Sequence, residues 1–476
     1  MSSVGVVGAG ITGLVAALEL QERGVEVAVY EASPRPGGVI RSPHHQGFIV
    51  ESGPNTLLET APYFSELIRK VGLDGRRLYS APEASNRYIV RGGQLVPVPA
   101  SPPGFLKSKL FSSGAKLRLF REPFVRRAPA ALEETVAQFV RRRLGQEFLD
   151  YAINPMIAGI YAGDPERLSV SEGFPKLHSL EQQHGSLLIG QFARAKELRA
   201  KGEVSKQDAP KVTFTDGLQE LPDAIAAKLG PALRLNTPVA GARRNGNEWD
   251  LQLASGEIVR HDALLFALPA HKLASMEVSS GNRVSLAALS EIVYAPVTTL
   301  ALGFRREDVA HPLDGFGVLV PEKENRSILG CIFSSSLFPN RAPAGHVLLT
   351  CYIGGMRQPA LVELDQEEQV QLAIADLGKL LGVRNAPVFA SRTVYQKAIP
   401  QYELGYGRFK KFFSEIENEC PGVFLGGNYR DGIALGDSIL NGRALAGRIQ
   451  DHLTAAASAP SFNFPNARPA AHIERT

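Results

Sequence analysis

The segment from Val4 to Glu31 restricts the fold more than any other part of the 476-residue chain. A short apolar run, Val4 to Val7, leads into the turn Gly8-Ala9-Gly10-Ile11-Thr12-Gly13. A helical pattern follows, apolar at Leu14, Ala17 and Leu18, polar at Glu19, Gln21 and Glu22, and closed by Gly24. A second run, Val25 to Tyr30, delivers Glu31. Strand, glycine turn, helix, strand and acid, in that order, make the fingerprint of a dinucleotide-binding βαβ unit. Gly8 permits the tight turn, Gly10 lets a pyrophosphate approach the backbone, and Gly13 lets helix and strand pack closely. The N–H groups at the helix start favour phosphate charge. Glu31 is placed to accept hydrogen bonds from ribose hydroxyls. An acid there disfavours a 2′-phosphate, which points to FAD or NAD rather than NADP.

The length exceeds what one hydrophobic core fills, so two or three domains are expected. A formal net charge of +4 is mild and gives no sign of a nucleic-acid partner. Cys331, Cys351 and Cys420 are scattered without metal-ligand spacing, so no metal site is expected and a reducing compartment is. No targeting segment is read at the start, because the first strand begins almost at Met1. No uncharged apolar run approaches the roughly 18 residues of a membrane span. Residues 456–476 are rich in Ala, Pro and Ser and are expected to be a disordered tail.

Pro36-Gly37-Gly38, soon after the acid, marks a second loop where backbone and ligand could approach closely. Asn86 to Pro99 reads as a hairpin turning at Gly92-Gly93. From Phe105 to Leu144 the pattern is helical, with Lys107, Lys109, Lys116, Arg118, Arg121, Arg126, Arg127 and Arg141 to Arg143 among Leu106, Leu110, Phe111, Leu117, Leu119, Phe120 and Phe124. This stretch is either a solvated charged face or a patch lying on an anionic membrane surface. Glu203 to Pro210 reads as a polar linker. Val239 to Arg260 reads as a β-meander with Asn245-Gly246 at one turn. Asp262 to Pro269 is a buried strand that returns to the nucleotide domain. Residues 285–402 alternate strands with one amphipathic helix, Gln366 to Leu381. Val423 to Asn428 is a last buried strand, and the glycine-rich Gly432 to Gly436 opens a helix expected to end near Leu453.

Three features converge on a family: the fingerprint with Pro36-Gly37-Gly38, the meander ending in Phe266-Ala267-Leu268-Pro269, and Gly426-Gly427-Asn428 followed by Gly432-Ile433-Ala434. Together they resemble the flavin amine oxidase superfamily. The segments Ile157-Ala158-Gly159-Ile160-Tyr161-Ala162-Gly163-Asp164, Gly315-Phe316-Gly317-Val318-Leu319-Val320-Pro321 and Ile399-Pro400-Gln401-Tyr402 are similar to its oxygen-dependent protoporphyrinogen oxidase branch. The resemblance implies an α/β (α+β) fold in three parts. A discontinuous Rossmann-like FAD domain would comprise residues 1–82, 211–271 and 421–455. A mixed-sheet substrate domain would comprise 83–99, 176–210 and 272–420, and a helical membrane-associating domain 100–175.

The resemblance also implies roles. Non-covalent FAD would lie against Gly8, Ala9, Gly10, Ile11, Thr12, Gly13, Glu31, Ala32, Val39, Gly53, Pro54, Asn55, Thr56, Val239, Gly432, Ile433 and Ala434. Arg87 would bind a substrate propionate, and Gly159, Leu319, Ile332 and Tyr352 would line the pocket. Arg87 and Asn55 are the residues expected to serve catalysis, Asn55 as a polar group near the reacting edge of the flavin. Substrate and acceptor would be a porphyrinogen and dioxygen, giving a porphyrin of haem synthesis and hydrogen peroxide. The protein would be cytoplasmic and peripheral on the inner face of the bacterial membrane, with room left for a homodimer. Protoporphyrinogen or coproporphyrinogen as substrate, and an amine or carotenoid oxidoreductase on the same scaffold, stay open.

Overall fold

A computed structural model describes residues 2–129, 132–200 and 209–458. The fingerprint segment folds as strand β1 (Ser3–Val7), helix α1 (Ile11–Glu22) and strand β2 (Glu26–Tyr30). β1 is central in a five-stranded parallel sheet ordered Leu233–Arg234, β2, β1, Ala263–Phe266, Val423–Leu425. The returning strand therefore pairs with β1, Val4 beside Ala263 and Val7 beside Phe266. Every residue of Ala263–Phe266 is fully buried, as a strand covered on both faces must be. Val423–Leu425 is shorter than read, because Gly427 leaves extended geometry and Asn428–Asp431 turns helical.

The meander forms a separate five-stranded sheet. Glu277–Ser280 and Asn282–Val284 complete it, so the expected boundary at 271/272 runs through a sheet. A seven-stranded sheet has the order Phe389–Pro400, Tyr294–Arg305, His346–Gly354, Ile328–Ile332, Gly315–Leu319, Asn86–Arg91, Gln94–Pro97. Its first strand was not read in the sequence. Helix Gln366–Leu381 covers one face, packing Ala373, Leu377 and Leu380 onto Val90, Val318, Cys331, Cys351 and Ile353. A three-stranded sheet, Leu57–Leu58, Lys211–Phe214 and Arg77–Tyr79, packs Leu57, Val212 and Phe214 into the core that β1, α1 and β2 share.

Short helices recur through residues 102–129 and 132–200, in shorter pieces than expected, and continue past 175. Gly185 (φ 70°) separates helix Pro175–His184 from Leu187–Ala200. A buried ion-pair cluster holds the later helices to the earlier ones. Arg143 and Glu122 are both fully buried, and Arg143 bonds Glu122 and, at 2.8 Å, Glu181. Arg142 bonds Glu181 and Glu134. Glu122 also accepts from the Ser186 hydroxyl (2.6 Å) and the Leu187 N–H (2.9 Å). So Arg143 is interior, Arg142 is paired inward and Arg141 is tied to Glu166; these three do not belong to a free basic face. Leu110 and Phe111, read with that face, lie in the core.

The last helix runs from Leu435 to Ser458, past both Leu453 and the expected start of the tail. Ala455 to Ala457 are strong helix formers, which accounts for the extra turn. Residues 459–476, most of that expected tail, and 203–208 of the expected linker lie outside the described residues. Among the described residues no helix is long and apolar enough to cross a membrane.

The acidic half of the cluster links its stability to pH. Burial pushes the Glu122 and Glu181 carboxyls up, but the hydroxyl, N–H and guanidinium donors outweigh it and hold both below the ordinary 4.5. A carboxylate depressed in the folded state stabilises above its unfolded pKa and loses that contribution as pH falls through the folded value. The melting midpoint should therefore drop as pH is taken below about 4.5. Glu122→Gln leaves Arg143 under-compensated and should cost about 3–5 kcal/mol at neutral pH. Its acid dependence should be shallower than the parent's in thermal melts.

Candidate active site

The carboxyl ends of the parallel strands present the glycine turn. Helix α1 starts at Gly10 with no side-chain cap and no acidic residue in its first turn, so its leading N–H groups are left for an anion. A Cβ at Gly13 would sit 2.1 Å from the Gly8 carbonyl oxygen, whereas one at Gly10 would meet nothing within 4 Å. Gly13 thus serves packing and Gly10 serves an open space. The second glycine loop closes over this space. The Gly37 N–H donates to the Ala9 carbonyl (2.8 Å), and Gly38 faces Gly10. Arg35, not singled out in the sequence, braces that loop through the carbonyls of Pro36, Gly38 and Ile40.

Glu31 ends β2 and accepts from the N–H groups of Ala9 (2.8 Å) and Ser33 (2.9 Å). Each carboxylate oxygen keeps a further acceptor position for a ribose hydroxyl. The Thr237 N–H donates to the Glu31 carbonyl, which brings Val239, at the head of the first meander strand, beside Glu31 and the exposed Ala32. Gly53 lies against Val39; a Cβ there would be 2.3 Å from the Val39 carbonyl oxygen. Val39 is 55% exposed at the rim of the groove, an apolar side chain suited to a planar ring system. Gly436, at the start of the last helix, approaches the Leu58 carbonyl, a few residues after the loop Gly53 to Thr56. The Tyr402 hydroxyl accepts from the Gly432 N–H (3.1 Å) and donates to the Asn428 carbonyl, holding that end in place. Tyr402 was legible only as part of a motif. This cradle, elongated, glycine-floored and anion-ready at one end, fits an extended FAD.

Register shows what faces it. Arg87 lies opposite Gly317, Gly317 opposite Ile332, Leu319 opposite Gly330, and Gly330 opposite Tyr352. Side chains alternate along strands, so Arg87, Leu319, Ile332 and Tyr352 share the face of the seven-stranded sheet away from helix Gln366–Leu381. Gly159, on helix Asn154–Tyr161, comes down on Leu319; a Cβ would be 2.7 Å from that side chain. Asn55 donates from its amide to the Tyr352 hydroxyl and to the Gly53 carbonyl (3.3 Å). That bond joins the flavin-side loop to the sheet face. Burial pushes the Tyr352 hydroxyl up, with Asn55 acting against it, so the phenol stays protonated. The buried pair Arg341–Glu51 (3.2 Å) is a second joint: Arg341 also donates to the Thr213 hydroxyl (2.6 Å), and Glu51 accepts from Ser42 and the Leu218 N–H.

Comparisons with known proteins give the family. Residues 11–450 match the family model for flavin containing amine oxidoreductases. Protoporphyrinogen oxidase 2, chloroplastic/mitochondrial, of Arabidopsis thaliana is 34% identical, with 94% of each chain covered. Coproporphyrinogen III oxidase of Bacillus subtilis (strain 168) is 29% identical over 94% of this chain and 97% of its own. A crystal structure of reduced UDP-galactopyranose mutase superposes with a TM-score of 0.73 at 18% identity, covering 96% and 97%, a likeness of fold alone.

Two glycine substitutions separate packing from binding. Gly10→Ala should fold with an unchanged melting midpoint but bind FAD about tenfold or more weakly, read from visible flavin absorbance during titration. Gly13→Ala should fail to give soluble folded protein, because its methyl meets the Gly8 backbone.

Proposed function

The chain belongs to the flavin containing amine oxidoreductase family, and from that premise we propose that it oxidises protoporphyrinogen IX to protoporphyrin IX with dioxygen as acceptor. The observation that carries this reading is the shared sheet face, with Arg87 at one end and Leu319, Ile332 and Tyr352 beyond it. A porphyrinogen is a wide apolar ring with carboxylate tails. It asks for an apolar wall ending in a cation. The Arg87 guanidinium offers a planar donor fork to a propionate, and the apolar side chains exclude water from the ring. Asn55 and Tyr352 are bonded where flavin cradle and sheet face meet, so they set the separation of ring and cofactor. When bound non-covalently, FAD supplies a two-electron acceptor for repeated dehydrogenation, with reoxidation by dioxygen to hydrogen peroxide. Coproporphyrinogen III is the competing substrate, favoured by the similarity to the Bacillus protein.

The reading extends to the cytoplasmic membrane surface. Leu106, Leu117, Phe120, Phe124 (88% exposed), Ile189 and Phe192 (81% exposed) are large apolar side chains in solvent. Lys107, Lys109, Arg121 and Arg126 are exposed beside them in the chain. Helix Leu187–Ala200 packs on the turn Glu122–Phe124, so several of these residues come from neighbouring elements. Apolar anchors ringed by cations suit an anionic lipid interface.

Aerobic fluorescence assays with protoporphyrinogen IX and coproporphyrinogen III in parallel should yield porphyrin. None from either would overturn the assignment, and a preference would identify the substrate. Arg87→Ala should raise KM about tenfold or more and leave the flavin spectrum unchanged. Anionic liposomes should co-sediment the protein at low salt and less at high salt. Phe124→Asp with Phe192→Asp should abolish that, and unaltered co-sedimentation would remove these residues from the contact.

A further inference from the structure

We propose that Lys211 is a second carboxylate-binding cation of the substrate pocket, acting beside Arg87 on a neighbouring propionate. The inference rests on the porphyrinogen reading above and names a residue to which neither motif nor family resemblance pointed.

Its basis is placement. Lys211 opens the strand Lys211–Phe214 and pairs with Leu58, three positions after Asn55. Along that strand Val212 and Phe214 turn into the core of the flavin-side domain with Leu57 and Phe64. Lys211 and Thr213 take the opposite side. That side faces the pocket wall. The Thr213 hydroxyl accepts from Arg341, whose guanidinium lies 5.5 Å from the centre of the Phe338 ring. Phe338, Leu337 and Ala84 pack with Phe316 and Ile332. The segment from Ser80 leads, through the turn Pro82–Ser85, from the Lys211 strand to the strand that carries Arg87. The Ser80 N–H donates to the Lys211 carbonyl (3.0 Å), the Ala81 N–H to the Leu337 carbonyl (2.9 Å), and Arg87 follows in the next strand.

The electrostatics agree. Burial, and then the nearby Arg87 guanidinium, hold the Lys211 ammonium below its ordinary range. Among the described residues no carboxylate pairs with it. A half-buried ammonium with no carboxylate beside it is unfavourable, and binding an anion relieves it. The carboxylate tails of a porphyrinogen are such anions, and two cations side by side match two tails on adjacent rings. The apolar ring then lies along Ile332, Leu319 and Tyr352 toward Asn55.

The test uses the FAD-loaded enzyme, parent and Lys211→Gln, with protoporphyrinogen IX and its dimethyl ester. Lys211→Gln should raise KM for the free acid about tenfold, with the loss in KM rather than kcat. KM for the ester should be the same in both, and Lys211→Arg should restore the parent value. An unchanged KM for the acid, or an equal rise for acid and ester, overturns the inference. Binding of protoporphyrin IX, followed by fluorescence quenching, reads the same pair without turnover. No loss of affinity in Lys211→Gln, or no binding by the parent, also overturns it. A parent that binds the porphyrin through Lys211 but oxidises no porphyrinogen would sink the proposed reaction and leave the cation pair standing.

Discussion

The close approach of two backbone segments governs the geometry of this molecule. Helix α1 can lie where it does only because Gly13 brings no side chain against the Gly8 carbonyl. The opposite flank of the helix meets the same condition: a Cβ at Gly442, in the last helix, would be 2.6 Å from the Thr12 carbonyl oxygen. Pinned between β1 and the last helix, α1 has one direction available to its N-terminus. The direction of the leading amides of α1, the second glycine loop laid on Ala9, and the approach of Gly436 to Leu58 all follow from it. Backbone packed on backbone at glycine cannot adjust by a rotamer change, which makes this contact less forgiving than side-chain packing.

The substrate side is attached to that frame through few polar joints. Asn55–Tyr352 and Glu51–Arg341 cross between the flavin cradle and the seven-stranded sheet, and Thr213 ties the small three-stranded sheet into the second of them. Burial works against the charges of Glu51 and Arg341, pushing the carboxyl up and the guanidinium down. The pair is therefore better understood as fixing orientation than as a large source of stability.

Much of the first domain was legible because its signals are local. The glycine turn, the acid and the Asn-Gly meander each declare themselves within thirty residues. Arg87, Leu319, Ile332 and Tyr352 were singled out only residue by residue through resemblance. That Arg87 and Ile332 share a face depends on the pairing of Arg87 with Gly317, far along the chain, which no local pattern encodes. Arg141 to Arg143 read as a solvated or lipid-facing run, yet Glu122 and Glu181, distant in sequence, draw Arg143 inside. Phe389–Pro400 escaped notice because Arg392, Thr393 and Gln396 break its apolar rhythm. Only pairing with Tyr294–Arg305 makes it a strand.

The parallel sheet takes its strands from residues 3–30, 233–266 and 423–425, and its closing helix from the far end of the described chain. A ribosome would therefore have to release nearly the whole protein before the first domain it began could be finished. Until Val423–Leu425 docks on Ala263–Phe266, the N-terminal unit exposes an open strand edge and an unfilled cradle. Long-range closure of this kind slows folding, and open strand edges favour aggregation while they last. A tightly held nucleotide, bridging segments at both ends of the chain, would act as the clasp that ends this exposure. Yield of folded protein should thus be limited by cofactor supply as much as by the sequence itself.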